Sequence, residues 1–177
     1  MKKIFAVALI SLTLISCKKS SSPGIGTNGL QVTLAGKAKV YNVVGGAFTY
    51  TDYSGPDSTV HMYIYFYDNT NANLASYFEV DLQSYNSPFT LGTVYSDTST
   101  VGRYTDFEIG SDFDPHNSFI NYYTAGNPAN PSTTTITAIS ATSISGTFQG
   151  IMYDDGDTTK LSKTVTNGKF IASIFPD

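Results

Sequence analysis

Apolar and polar residues alternate along most of this chain, most sharply from Thr59 to Tyr67. Val60, Met62, Ile64 and Phe66 fall on one side there, and His61, Tyr63, Tyr65 and Tyr67 on the other. A period of two marks a β-strand, whose side chains point alternately to the two faces of a sheet. The aliphatic set is the expected core face. Asp68-Asn69-Thr70-Asn71 interrupts the run, and alternation resumes from Tyr77 to Gln83, with Phe78, Val80 and Leu82 inward against Tyr77, Glu79, Asp81 and Gln83. Two such runs separated by a polar break predict antiparallel neighbours.

The same signals recur along the rest of the chain. Leu30 to Ala35, Lys37 to Val44 and Ala47 to Thr51 are short runs bounded by glycine. Pro88 to Val94, Gly102 to Ile109 and Ser118 to Tyr123 follow, the first two separated by the polar turn Ser96 to Thr100. The stretch from Ala125 to Pro131 holds two prolines and two asparagines and reads as a loop. Beyond it come Thr133 to Ile139, Ser143 to Tyr153 and Thr164 to Phe175. No segment has a helical period. Short strands with turns between them predict an all-β domain, an antiparallel β-sandwich or flattened barrel of about 8–10 strands. Local pattern does not decide between these two closures.

The N-terminus reads differently. Lys2 and Lys3 precede an uncharged stretch from Ile4 to Ile15, which fits the apolar core of an export signal. The stretch is too short for a membrane span, which takes about 20 apolar residues. Leu14-Ile15-Ser16-Cys17 resembles the lipobox of bacterial lipoproteins, and Cys17 is the sole cysteine of the chain. That resemblance implies cleavage after residue 16 and acylation of Cys17 by diacylglyceryl and palmitate-type chains, with the protein held at the cell envelope, on the outer membrane. Two or more acyl chains anchor stably where one does not. Residues 17–28 are rich in Ser, Gly and Lys and read as a flexible tether, leaving 29–177 as a single β-domain.

Both ends of that domain carry a second resemblance. Ile144-Ser145-Gly146-Thr147-Phe148, Val165-Thr166-Asn167-Gly168-Lys169-Phe170 and the opening Val32-Thr33-Leu34-Ala35-Gly36-Lys37 are similar to strands of a family of uncharacterised Bacteroidota lipoproteins. The resemblance implies fold and location and transfers no site. The residues themselves explain the motifs structurally. Glycine alternating with large residues in Ile144 to Met152 suits a strand whose gaps a neighbouring ring covers, and Asn167-Gly168 suits a turn or bulge needing positive φ.

Composition narrows the chemistry. The net charge is −4 with a single arginine, Arg103, and removal of Lys2 and Lys3 makes the chain more acidic, so nucleic acid is not an expected partner. Asp154-Asp155-Gly156-Asp157 departs from an EF-hand, with glycine at its second ligand place and no closing glutamate, and reads as a hairpin turn. Asp112, Asp114 and His116 alternate as a mixed metal site would, yet Pro115 and Asn117 favour a loop. No metal, cofactor or catalytic residue is expected, because no nucleophile, base and orienting group occur in a recognisable arrangement. Glu79 and Asp81 form a carboxylate pair of the kind a glycosidase uses, but as outward i, i+2 neighbours they read as a solvated strand surface.

The strongest functional lead is aromatic. Tyr63, Tyr65 and Tyr67 share one side of a strand, with Tyr77 expected across from them. Such rings bind sugars or protein when exposed. A strand apolar on both faces is more often buried on both, which makes a covered, core role the preferred reading. The expectation is therefore a membrane-anchored lipoprotein that acts as a non-catalytic binding or envelope-associated β-domain, touching the membrane through Cys17 and a glycan or protein through this face or its loops. The alternative is a secreted enzyme, such as a glycan-active hydrolase.

Overall fold

A computed structural model describes residues 28–41, 43–52, 58–68, 76–111, 122–124, 126–154 and 158–175. The expected signal peptide and tether, Cys17, and the Asp112 to His116 cluster lie outside these residues. So do Asp155 to Asp157 of the second acidic cluster and most of the Ser118 to Tyr123 run.

Eleven strands form one sheet, and no helix occurs among the described residues. In chain order they are β1 Gly29–Leu34, β2 Lys37–Tyr41, β3 Val43–Asp52, β4 Thr59–Asp68, β5 Ser76–Tyr85, β6 Val94–Ser96, β7 Arg103–Ser111, β8 Tyr122–Tyr123, β9 Thr133–Ile139, β10 Ser143–Asp154 and β11 Ser162–Ile174. The expected all-β class holds, and β4 and β5 pair antiparallel as the alternation predicted. Two details differ. The apolar run Pro88 to Val94 is not a strand, because Leu91-Gly92 forms a turn with Gly92 at φ +77°, and pairing begins only at Val94. One contact is parallel, where Ser173 and Ile174 of β11 meet Gly46 and Ala47 of β3.

That parallel contact closes the sheet. Pairing runs β11–β3–β4–β5–β7–β8–β10 and returns from β10 to β11. β1 and β2 extend the wall beside β11, and β9 and β6 extend it beside β10. The result is a flattened barrel of two facing layers. Met62, Ile64, Phe66, Phe78, Val80, Leu82 and Phe107 from one layer meet Leu30, Val32, Ile136, Ile144, Phe148, Met152 and Phe170 from the other. Rings carry the contact across: Phe148 lies with its centroid 5.2 Å from both Phe78 and Phe107.

The two C-terminal motifs now have positions. Gly146 leaves room for the ring of Phe170, which a Cβ there would meet at 2.4 Å. In β11, Thr166 and Asn167 stand opposite Gln149 alone, since register shifts between Phe148↔Gly168 and Gly150↔Val165. This is a β-bulge, and Asn167 takes the left-handed conformation it needs, at φ +53°.

Candidate functional site

The outer face of β4, β5 and β7 concentrates groups with chemistry. β4 contributes His61, Tyr63, Tyr65 and Tyr67, all half-buried. Tyr63 stacks on His61 at 5.9 Å and on Tyr65 at 6.1 Å. Tyr65 meets Phe48 of β3 edge-on at 6.3 Å, and Phe48 stacks on Phe175 at 5.1 Å. Tyr67 and Tyr77 are direct cross-strand partners with rings 6.3 Å apart. The four tyrosines singled out in the sequence are thus brought to one face, on the outside of the barrel and not in its core. They are braced by each other and only partly open to solvent. Tyr65→Ala is expected to cost about 1 kcal/mol, the size of a lost aromatic pair on a half-covered surface; a urea midpoint measures it.

β5 and β7 add what the sequence reading missed. Their register sets Glu79 opposite Glu108 and Asp81 opposite Asp106, two pairs of acidic residues side by side. Glu79 and Asp81 are not a solvated strand surface: Asp81 is only 7% exposed and Glu79 is half-buried. β3, β4 and β5 contain no lysine or arginine. The Arg103 that begins β7 is exposed and pairs with Ser84, on the opposite side of the sheet from the carboxylates.

Each carboxylate is held by neighbours of its own strand or the next. Asp81 Oδ2 accepts from Gln83 Nε2 at 2.8 Å, while Oδ1 is buried and lies 3.9 Å from His61 Nδ1. Asp106 accepts from the Thr124 hydroxyl and, at 2.8 Å, from the amide of Phe107. Tyr77 donates its hydroxyl proton to Glu108 across the ladder. Gly110 permits this, since a Cβ there would come within 2.2 Å of the Tyr77 ring.

Crowding raises the proton affinity of these acids. Burial pushes the Glu79 carboxyl up to about 8, assisted by repulsion from Glu108, Asp81 and Asp106, and a hydrogen bond from Tyr65 only partly offsets this. Burial lifts Asp81 to about 6, with Gln83 and His61 acting in the opposite sense and Asp106 reinforcing the rise. Asp106 is raised by burial also. Tyr65 and Tyr77 are pushed above their ordinary value by burial, Tyr65 next by the Glu79 charge and Tyr77 next by its hydrogen bond to Glu108. Near neutral pH the face therefore mixes protonated and ionised carboxyls beside phenols that stay neutral.

No group of three histidine, aspartate or glutamate side chains among the described residues is arranged to hold a metal ion. No family model, curated protein or solved structure matches the chain, so the site is read from its own geometry. A purely sequence-based signal for Asp106 and Glu108 did exist. They alternate with Thr105, Phe107 and Ile109, so the outward set of β7 is Tyr104, Asp106 and Glu108.

Proposed function

We propose that this chain is a lipid-anchored, non-catalytic binding domain of the bacterial envelope, held at the outer membrane through acyl chains on Cys17, with the outer face of β4–β5–β7 receiving a positively charged protein partner. The anchor rests on the lipobox-like Leu14-Ile15-Ser16-Cys17. The binding half rests on one observation, the two in-register carboxylate pairs on a face whose strands β4 and β5 carry no lysine or arginine. Like charges directly opposite across a ladder destabilise it, which together with burial keeps Glu79 protonated at neutral pH when no partner is bound. Lysine or arginine side chains of a partner relieve that repulsion, and the tyrosine rings beside it supply faces for cation–π contact. Complementary charge of this kind governs encounter and orientation as well as affinity.

The test has two arms. In bacteria fed labelled palmitate, the full chain takes up label and Cys17→Ser does not; label on the variant removes the anchor. In solution, a fluorescent lysine-rich peptide binds the full chain in detergent at low salt, and Glu79→Gln with Asp106→Asn weakens it by about tenfold, or roughly 1.4 kcal/mol. Equal binding by the double variant removes the assigned face.

Glu79 opposite Glu108 also supports a second reading, glycoside hydrolysis. A carboxyl raised to about 8 is protonated at neutral pH and donates to a leaving group, while an adjacent carboxylate serves as nucleophile or base. Release of reducing ends from a polysaccharide panel, abolished by Glu79→Gln, favours that reading over simple binding.

A further inference from the structure

The opposite layer presents a surface of a different kind. At the β11 bulge a groove of about 370 Å³ opens on the outside of β9–β10–β11, walled by Thr133, Thr135, Thr147, Gln149, Asn167 and Lys169 and floored by Phe148 and Gly168. Past Gln149 it continues into a second hollow of about 260 Å³, bordered by Pro131, Ile151 and Thr166. The first hollow alone reaches the size range of small-molecule sites. Together they make a trough that suits a chain-like ligand better than a compact one.

The polar groups here are unengaged. Among the described residues, the side chains of the six wall residues make no hydrogen bond or ion pair within the protein. Elsewhere short polar side chains pair off readily, as Ser140 does with Ser143 and Thr90 with Thr93. The bulge produces the concentration, because it turns two successive residues, Thr166 and Asn167, toward the outer face against Gln149. Bulges re-aim side chains in this way next to functional sites. Asn167 is informative in itself. At φ +53° glycine would sit with less strain, and asparagine keeps an amide at the wall of the groove.

We infer that this trough is a second binding site, for an oligosaccharide carrying an anionic substituent such as a uronate. Each threonine hydroxyl both donates and accepts, and each amide does the same at separate atoms, which matches the neighbouring hydroxyls of a sugar chain. The floor is main chain at Phe148, Gly168 and Gly150, which lets a ring approach closely, and Ile151 in the second hollow offers partly exposed apolar surface for its C–H side. No carboxylate lines either hollow, and Lys169 is the one charged group in them. An anionic substituent is therefore drawn to Lys169, while a neutral chain forfeits that contact. The inference is independent of the carboxylate face and stands if that face binds nothing.

Calorimetric titration of the full chain in detergent with trigalacturonate, a glucuronate trisaccharide and a sulfated trisaccharide tests it. At least one anionic sugar binds, and the methyl ester of a bound uronide binds about tenfold more weakly, the effect of losing one charged contact. Lys169→Ala causes a similar loss. Asn167→Gly also weakens binding while leaving the melting temperature unchanged or raised, which separates loss of the amide from loss of the fold. Absence of binding by all three sugars overturns the site, as does binding that is indifferent to both substitutions.

Discussion

Phe148→Ala is expected to lower the free energy of unfolding by about 3–5 kcal/mol, the range for deleting a fully packed aromatic side chain. The ring is 3% exposed and sits where the two layers meet. It lies 5.2 Å from Phe78, 5.2 Å from Phe107 and 6.3 Å from Phe170, so its removal strips contacts from three other rings at once. Those neighbours belong to three different strands closing from opposite sides, and a barrel wall tied by ladder hydrogen bonds collapses poorly into a void. Phe48→Ala is the matched control, since that ring is 50% exposed on the outer face, and a change within about 1 kcal/mol is expected for it. Urea midpoints for both, taken at one pH, give the comparison. Equal losses would mean that the layers are not held by this ring cluster.

Stability is expected to fall as pH rises from 5 to 9, with the loss reduced in Glu79→Gln. Glu79 titrates near 8 in the folded protein against an ordinary 4.5, and Asp81 near 6 against 3.8. Between those values the unfolded chain has released protons that the folded chain retains, so raising the pH favours unfolding. The contribution of Glu79 is fully present below pH 4.5 and is lost as pH passes through about 8; that of Asp81 is lost earlier, as pH passes through about 6. Screening on a half-open face reduces the effect, and about 2 kcal/mol across the range is expected. Melting temperatures in matched ionic strength at pH 5, 7 and 9 measure it. The glutamine variant is the less pH-sensitive protein and the more stable one at pH 9. A wild-type curve that is flat or rises would show that these carboxyls ionise as they do in water.

What was legible in the sequence was whatever repeats locally. Val60 to Phe66 and Phe78 to Leu82 predicted a core face, and Met62, Ile64, Phe66, Phe78, Val80 and Leu82 are all buried. The pairing of Tyr67 with Tyr77 followed from the same alternation. Asp106 and Glu108 were not linked to Glu79 and Asp81, because β5 pairs with β7 and not with the intervening β6, which crosses to β9. No residue between Asn86 and Gly102 announces that excursion. Closure escaped for a related reason. The β11–β3 contact involves Ser173 and Ile174 against Gly46 and Ala47, a meeting of distant segments that leaves no periodic trace. The Pro88 to Val94 run misled through its apolar composition, where Gly92 decides the local path.

The position of β11 sets the order in which the molecule can be assembled during synthesis. This strand follows every other described strand in sequence, yet β10 borders one of its edges while β1 and β3 share the other. A chain emerging N-terminus first from the ribosome has β1 and β2 available early, with the strand that flanks them not yet made. The hairpin must wait for nearly the whole domain to follow, and the contacts that complete the wall are among the longest loops the chain closes. Until then the chain stays open, and the barrel seals only when β11 has arrived.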